Sequence, residues 1–277
     1  MRRSLLFIPS NNPGMVQNAN LFGADAAIFD LEDAVSVQEK DSARNLLRES
    51  LDTISGLEKI VRINGMDTPY FDADLKMLIK TTADTIMLPK AGIQEVQKLD
   101  FLLTKANSPI RILPIIELAA SLLEVEAIAV LPRVDGLLLG AEDLTSDLEV
   151  ERTVEGVEIA YARSKMSLAC KGARIDAIDT PCTNTTSDEE VKMDALRAKQ
   201  LGMNAKACIH PNQVAIVNTV FSPSHLQIRQ AKRIIEAAKS AQGAFSLDGK
   251  MIDKPIIERS KKILEKAKRF NMEDHDE

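Results

Sequence analysis

Two stretches decide the fold: Arg111-Ile112-Leu113-Pro114-Ile115-Ile116-Glu117 and Val134-Asp135-Gly136-Leu137-Leu138-Leu139-Gly140-Ala141-Glu142-Asp143. Each is a short apolar run that ends in charge, and a longer amphipathic segment starting near Ala119 lies between them. The same unit recurs. Residues 4–9, 26–31, 60–64, 85–89, 174–178 and 205–210 supply six more candidate strands. Helical stretches begin near Gly14, Val37, Tyr70, Gly92, Ala119, Val154, Ser187 and Asn212. Residues 16–21, 39–51 and 189–201 carry apolar side chains at spacings of three and four, the helical period. Such alternation argues for parallel strands with helical crossovers. Eight units in roughly 210 residues match an α/β (β/α)8 TIM barrel. An open doubly wound sheet often begins with a Gly-rich phosphate turn, and this chain has neither G-x-G-x-x-G nor a Walker sequence.

Residues 1–222 are therefore expected to form the barrel. Residues 223–277 form an extra C-terminal helical segment, part of the same domain or packed on a neighbouring subunit. It holds helices over 226–242 and 256–269, and between them an Asp248-Gly249 turn flanked by apolar residues, which predicts a hairpin. The polar tail 272–277 is expected to be disordered.

The 277 residues carry a formal charge of −6 and are 45% hydrophobic. An acidic chain is a poor general partner for nucleic acid or anionic membranes. The apolar N-terminal run breaks at Pro9 with no cleavage pattern, and no run approaches the ~18 residues that span a bilayer. Three cysteines, Cys170, Cys182 and Cys208, without C-x-x-C read as reduced thiols, so the expected location is cytoplasmic.

In such a barrel the C-terminal strand ends form the active face. Here they offer Asp30-Leu31-Glu32-Asp33, Arg62 and Asn64, Lys90, Glu117, Glu142-Asp143, Asp176 and Asp179, and His210. Any one of these fits a solvated loop or helix cap. A carboxylate directly after so apolar a strand, however, is costly unless it is paired or bound to metal. Glu117 and Asp143, on adjacent strand ends, suit a small hard cation such as Mg²⁺. Arg62 is suited to a substrate carboxylate or a developing enolate oxygen. Lys90 admits two readings, a Schiff-base lysine or a charge partner of Glu32 and Asp33; the nearby carboxylates favour the charge network.

Taken in order, several motifs resemble the citrate lyase beta-subunit family of HpcH/HpaI-type aldolases. They are Arg3-Ser-Leu-Leu-Phe-Ile-Pro9, the run from Gly23 through Phe29-Asp-Leu-Glu-Asp33, Lys40-Asp-Ser-Ala-Arg44, Val61-Arg-Ile-Asn64, Leu88-Pro-Lys90, Pro114-Ile-Ile-Glu117, Gly140-Ala-Glu-Asp-Leu144, Ile209-His-Pro-Asn-Gln213 and Gly249-Lys-Met-Ile-Asp253. The resemblance implies Mg²⁺ (Mn²⁺ as a substitute) on Glu117 and Asp143 and Arg62 as the substrate-binding arginine; Glu117 and Lys90 are also expected to bind substrate. Asp253 would be the acid/base given by a neighbouring subunit of a homo-oligomer, often a trimer. It implies cleavage of a citryl thioester of coenzyme A or of an acyl carrier protein to oxaloacetate and an acetyl thioester, alone or with citrate lyase alpha and gamma subunits. The alternatives are a stand-alone citramalyl-CoA or malyl-CoA lyase and a non-catalytic barrel subunit. The Gly140–Leu144 and Ile209–Gln213 motifs and Phe221-Ser-Pro-Ser224 look more like the stand-alone enzymes, but the loop after the first strand, residues 10–17, lacks the lysines those enzymes tend to carry, so the carrier stays open between CoA and protein.

Overall fold

The computed structural model describes residues 1–241 and 243–272. Gln242, the expected end of one helix, and the tail beyond Met272 lie outside the described residues. Eight strands, β1 (Ser4–Pro9), β2 (Ala26–Asp30), β3 (Glu58–Arg62), β4 (Thr85–Leu88), β5 (Arg111–Ile116), β6 (Gly136–Leu139), β7 (Asp176–Asp179) and β8 (Ala205–Cys208), run parallel in sequence order. The last pairs with the first to close the barrel. All eight lie where the sequence places them. The predicted helix start at Val154 is late by six residues, at Ala160. Thr153 donates to Glu158, and Gly156 at φ 67° keeps the intervening chain out of a helix.

Alternation along each strand sorts the side chains. Leu5, Ile28, Ile60, Met87, Leu113, Ile115, Leu138 and Ile178 meet inside the barrel, with Phe7 against them. At the N-terminal ends of the strands, buried Arg2 is ringed by Glu58 (2.6 Å), Asp135 (2.8 Å) and Asp176 (3.1 Å). This corrects the expectation for Asp176, which starts β7 and so sits at the end opposite the active face. Asp179 is also misplaced by the sequence reading. It has the parity opposite to Ile178 and faces the helix layer, where Arg163, Asp194 and Lys206 enclose it. His210 turns back on Asn212 at the surface, 2.7 Å away.

The chain divides into two compact units, and the second begins at Thr219. Within it, the helices His225–Ala238 and Lys254–Arg269 pack together. Between them β9 (Phe245–Leu247) and β10 (Lys250–Ile252) form the expected antiparallel hairpin. Its turn has Asp248 at φ 51° and Gly249 at φ 74°, as a two-residue hairpin loop requires. All three cysteines are free and buried. No helix among the described residues is long and apolar enough to cross a membrane.

Lys206 reaches Asp179 and Asp194 at 2.6 Å each, and both of the pair Lys206 and Asp179 are at most 1% exposed. Removing one member leaves a buried charge without its partner. Lys206→Met is expected to lose about 3–5 kcal/mol in urea unfolding; a loss under about 1 kcal/mol would show that this cluster does not hold the helix layer to the barrel.

Candidate active site

One further step of the strand alternation beyond the apolar interior places Pro9, Asp30, Arg62, Glu117, Gly140 and Thr180 at the C-terminal mouth. There they line a cavity of about 430 Å³ together with Asp33, Asp143 and Ile209. Asp30 and Arg62 are register partners on β2 and β3. The guanidinium binds Asp30 through two bonds, Nε to Oδ1 at 2.7 Å and Nη2 to Oδ2 at 2.6 Å. Its Nη1 lies 2.8 Å from Glu32 and 3.3 Å from Asp33, and its face rests on Phe7 with the ring centroid at 5.0 Å. The Glu32 contact is electrostatic, for Glu32 Oε2 has no hydrogen-bond partner. Glu32 and Asp33 thus gather around Arg62.

Lys90 does not play the part expected of it. Among the described residues its ammonium makes no ion pair with Glu32 or Asp33. The side chain is exposed and borders a separate depression with Gly65, Asp67 and Lys98. The reason is local. Lys90 has φ 48°, a strained conformation for a residue with a Cβ. Its backbone N–H donates to Glu117 Oε1 at 2.6 Å. The site uses the main chain of this residue, which no side-chain pattern reveals.

Glu117 follows β5 and is only 4% exposed. Gly140 makes room for it: a Cβ at that position would stand 2.6 Å from Glu117 Cβ and 2.7 Å from Oε2. Sequence reading treated Gly140 only as part of a motif. Asp143 lies in the first turn of the helix Ala141–Asp147, where the backbone dipole favours an anion. Burial raises the Glu117 carboxyl to about 7, and the Asp143 charge pushes the same way against the Lys90 N–H and Arg62. Burial likewise raises Glu32 to about 8, helped by Asp33, Asp30 and Glu117 and opposed by Arg62.

A cation fits this arrangement. Glu117 keeps Oε2 clear of the Lys90 bond, and the nearby Asp143 charge raises the cost of ionising Glu117. Among the described residues no group of three or more Asp, Glu, His or Cys is arranged to hold a metal. Two carboxylates leave positions for substrate and water, the pattern Mg²⁺ accepts. Asp253 is found in the second unit as the N-cap of the helix Lys254–Arg269, accepting from the Ile256 N–H at 3.2 Å.

A family model described as HpcH/HpaI aldolase/citrate lyase matches residues 3–211. A second, for a C–C bond lyase of the TIM-barrel fold, matches residues 159–272. The chain is 38% identical to citrate lyase subunit beta of Leuconostoc mesenteroides subsp. cremoris over 96% of its length and 93% of that protein. It is 32% identical to a (3S)-malyl-CoA thioesterase of Cereibacter sphaeroides, over 96% of this chain and 94% of that one. Among solved structures, protein CitE of Mycobacterium tuberculosis in complex with magnesium, acetoacetate and coenzyme A aligns with a TM-score of 0.83 at 30% identity. That alignment covers 96% of this chain and 98% of the other.

A raised carboxyl pKa makes ionisation costly to the folded state. For Glu117 without metal, that cost is absent below the unfolded value near 4.5 and complete above about 7. It amounts to about 3 kcal/mol. In EDTA, the melting temperature of Glu117→Gln minus that of wild type is expected to grow by several degrees from pH 5 to pH 8. A constant difference across that range would contradict the assignment.

Proposed function

The chain belongs to the HpcH/HpaI aldolase/citrate lyase family, and on that premise we propose that it is a magnesium-dependent lyase that cleaves a citryl thioester into oxaloacetate and an acetyl thioester. One observation carries the proposal: a buried carboxylate, Glu117, shares a cavity with Asp143 and with an arginine already fixed in place. Glu117 and Asp143 would hold the Mg²⁺, with Mn²⁺ as a substitute. When bound, the ion supplies Lewis-acid polarisation of the oxo-acid half of the substrate.

The chain's own residues do the rest. The bond between the hydroxyl-bearing carbon and the acetyl methylene breaks. The hydroxyl loses its proton, and the methylene carbon gains one. Negative charge builds on the thioester carbonyl as the bond breaks, and Arg62 is positioned to stabilise it. Two bonds to Asp30 keep the guanidinium from reorienting, so little reorganisation accompanies the charge. Exposed Asp33, its weakest partner at 3.3 Å, is the carboxylate that a substrate carboxylate can replace. Phe7, Ile115 and Leu138 line the cavity and exclude water from the new carbanion. We assign the proton donor at the methylene carbon to Asp253, supplied by a neighbouring copy in a homo-oligomer. Met251 beside it is 68% exposed and has apolar surface to bury.

Coenzyme A bound to the Mycobacterium tuberculosis relative supports a CoA thioester as the substrate class. A carrier-protein thioester, handled in company with citrate lyase alpha and gamma subunits, is the alternative form; that the Leuconostoc relative is a subunit of citrate lyase supports a multi-subunit setting. The malyl-CoA thioesterase relative supports a second acyl group, malyl, in the same site.

Two tests follow. Excess EDTA is expected to abolish cleavage of citryl-CoA and Mg²⁺ to restore it, while Asp143→Ala weakens Mg²⁺ binding by at least about tenfold in calorimetry; full activity in EDTA would refute the metal assignment. Mixing inactive Arg62→Ala with inactive Asp253→Ala under demonstrated subunit exchange is expected to return part of the activity. No recovery would place Asp253 outside a neighbour's site.

A further inference from the structure

Three carboxylates crowd the turn after β2, and like charges so close repel. The backbone carrying them must be held by something else. Asp30 restrains one side of the turn, accepting from the N–H groups of Glu32 at 2.9 Å and Ala34 at 3.0 Å. On the carbonyl side the partner is a lysine. Lys40, 7% exposed, points its ammonium at the carbonyls of Leu31 (2.8 Å) and Glu32 (2.7 Å) and lies over the Tyr70 ring, 5.7 Å from its centroid. Its placement is costly. Lys40 opens the helix Lys40–Ser50, where the backbone dipole disfavours a cation, and burial draws its pKa down against the pull of Asp30 and Glu32. One turn along the same helix, Arg44 binds Asp74 at 2.8 Å. Asn64 closes the frame by donating to both Leu31 O and Asp74.

We propose that Lys40 is a positioning residue, whose ammonium clamps the carbonyls of Leu31 and Glu32 and thereby sets the Glu32 and Asp33 carboxylates against Arg62. It does not line the cavity. Its influence on the reaction rests on the substrate role of Arg62 given above. Among the described residues the hydrogen bonds of Lys40 go to main-chain carbonyls, so beyond its charge attraction to the nearby acids it fixes the geometry of the turn.

The test uses Lys40→Met, with Lys40→Gln as a milder variant should the first not fold. Hydrogen exchange of the segment 31–36 is expected to accelerate at least tenfold, with the barrel strands unchanged. For citryl-CoA, KM is expected to rise about tenfold with kcat changed less than about threefold. The effect should vanish in an Arg62→Ala background when oxaloacetate binding with Mg²⁺ is followed by calorimetry. Unchanged exchange at 31–36 in both variants overturns the clamp. Faster exchange with an additive loss in the double variant overturns the action through Arg62. Wild-type protein that neither cleaves citryl-CoA nor binds oxaloacetate refutes the proposed function, while the exchange result still decides whether Lys40 is the clamp.

Discussion

The two-bond ion pair between Asp30 and Arg62 ties the barrel to its site. The two residues are register partners on neighbouring strands, so the pair forms only if β2 and β3 align as they do. A one-residue slip would turn one of them toward the helix layer. At 1% exposure for Asp30 the carboxylate must be matched, and Arg62 matches it with two hydrogen bonds. The same carboxylate gathers the amides of the following turn. One interaction thus sets strand register, loop shape and the direction in which the arginine points.

Charge elsewhere in the barrel is separated by depth. Arg2 and its acids close the N-terminal end, and Lys206 and Arg163 join the helix layer to the strands. The Arg62 group occupies the mouth, and an apolar layer lies between the two ends. These clusters differ in what they leave open. The helix-layer cluster of Lys206, Arg163, Asp179 and Asp194 pairs its charges internally, whereas the bottom cluster around Arg2 leaves Asp135 Oδ1 without a hydrogen bond. The mouth leaves Glu32 Oε2 without a hydrogen bond and Glu117 Oε2 clear of the Lys90 amide. Unfilled capacity of that kind is where a ligand gains free energy.

The mouth is also where the fold tolerates strain. Lys90 occupies a left-handed conformation so that its amide can reach Glu117, and position 140 has no side chain so that Glu117 has space. Gly140 lets the acid sit where burial opposes its ionisation, and the Lys90 amide partly offsets that cost. A cation held there, as proposed above, would offset that cost.

The sequence by itself determined the barrel, because eight apolar runs separated by helical stretches allow few other parallel arrangements. It also determined the hairpin, since Asp-Gly accepts two positive φ angles that most residues resist. The rim residues Arg62, Glu117 and Asp143 were legible as charges after apolar strands. Their grouping in one cavity, and the separation of Asp176 and Asp179 from it, was decided by tertiary structure. Parity and depth along a strand fix which end and which face a side chain meets, and a shift of one or two residues in a boundary changes both. The structure alone showed that Arg62 takes the place expected of Lys90, that Lys90 acts through its amide, and that Lys40 holds the acidic turn. Main-chain hydrogen bonds carry no residue signature, and the partners of a buried charge come from distant segments that only the closed barrel brings together.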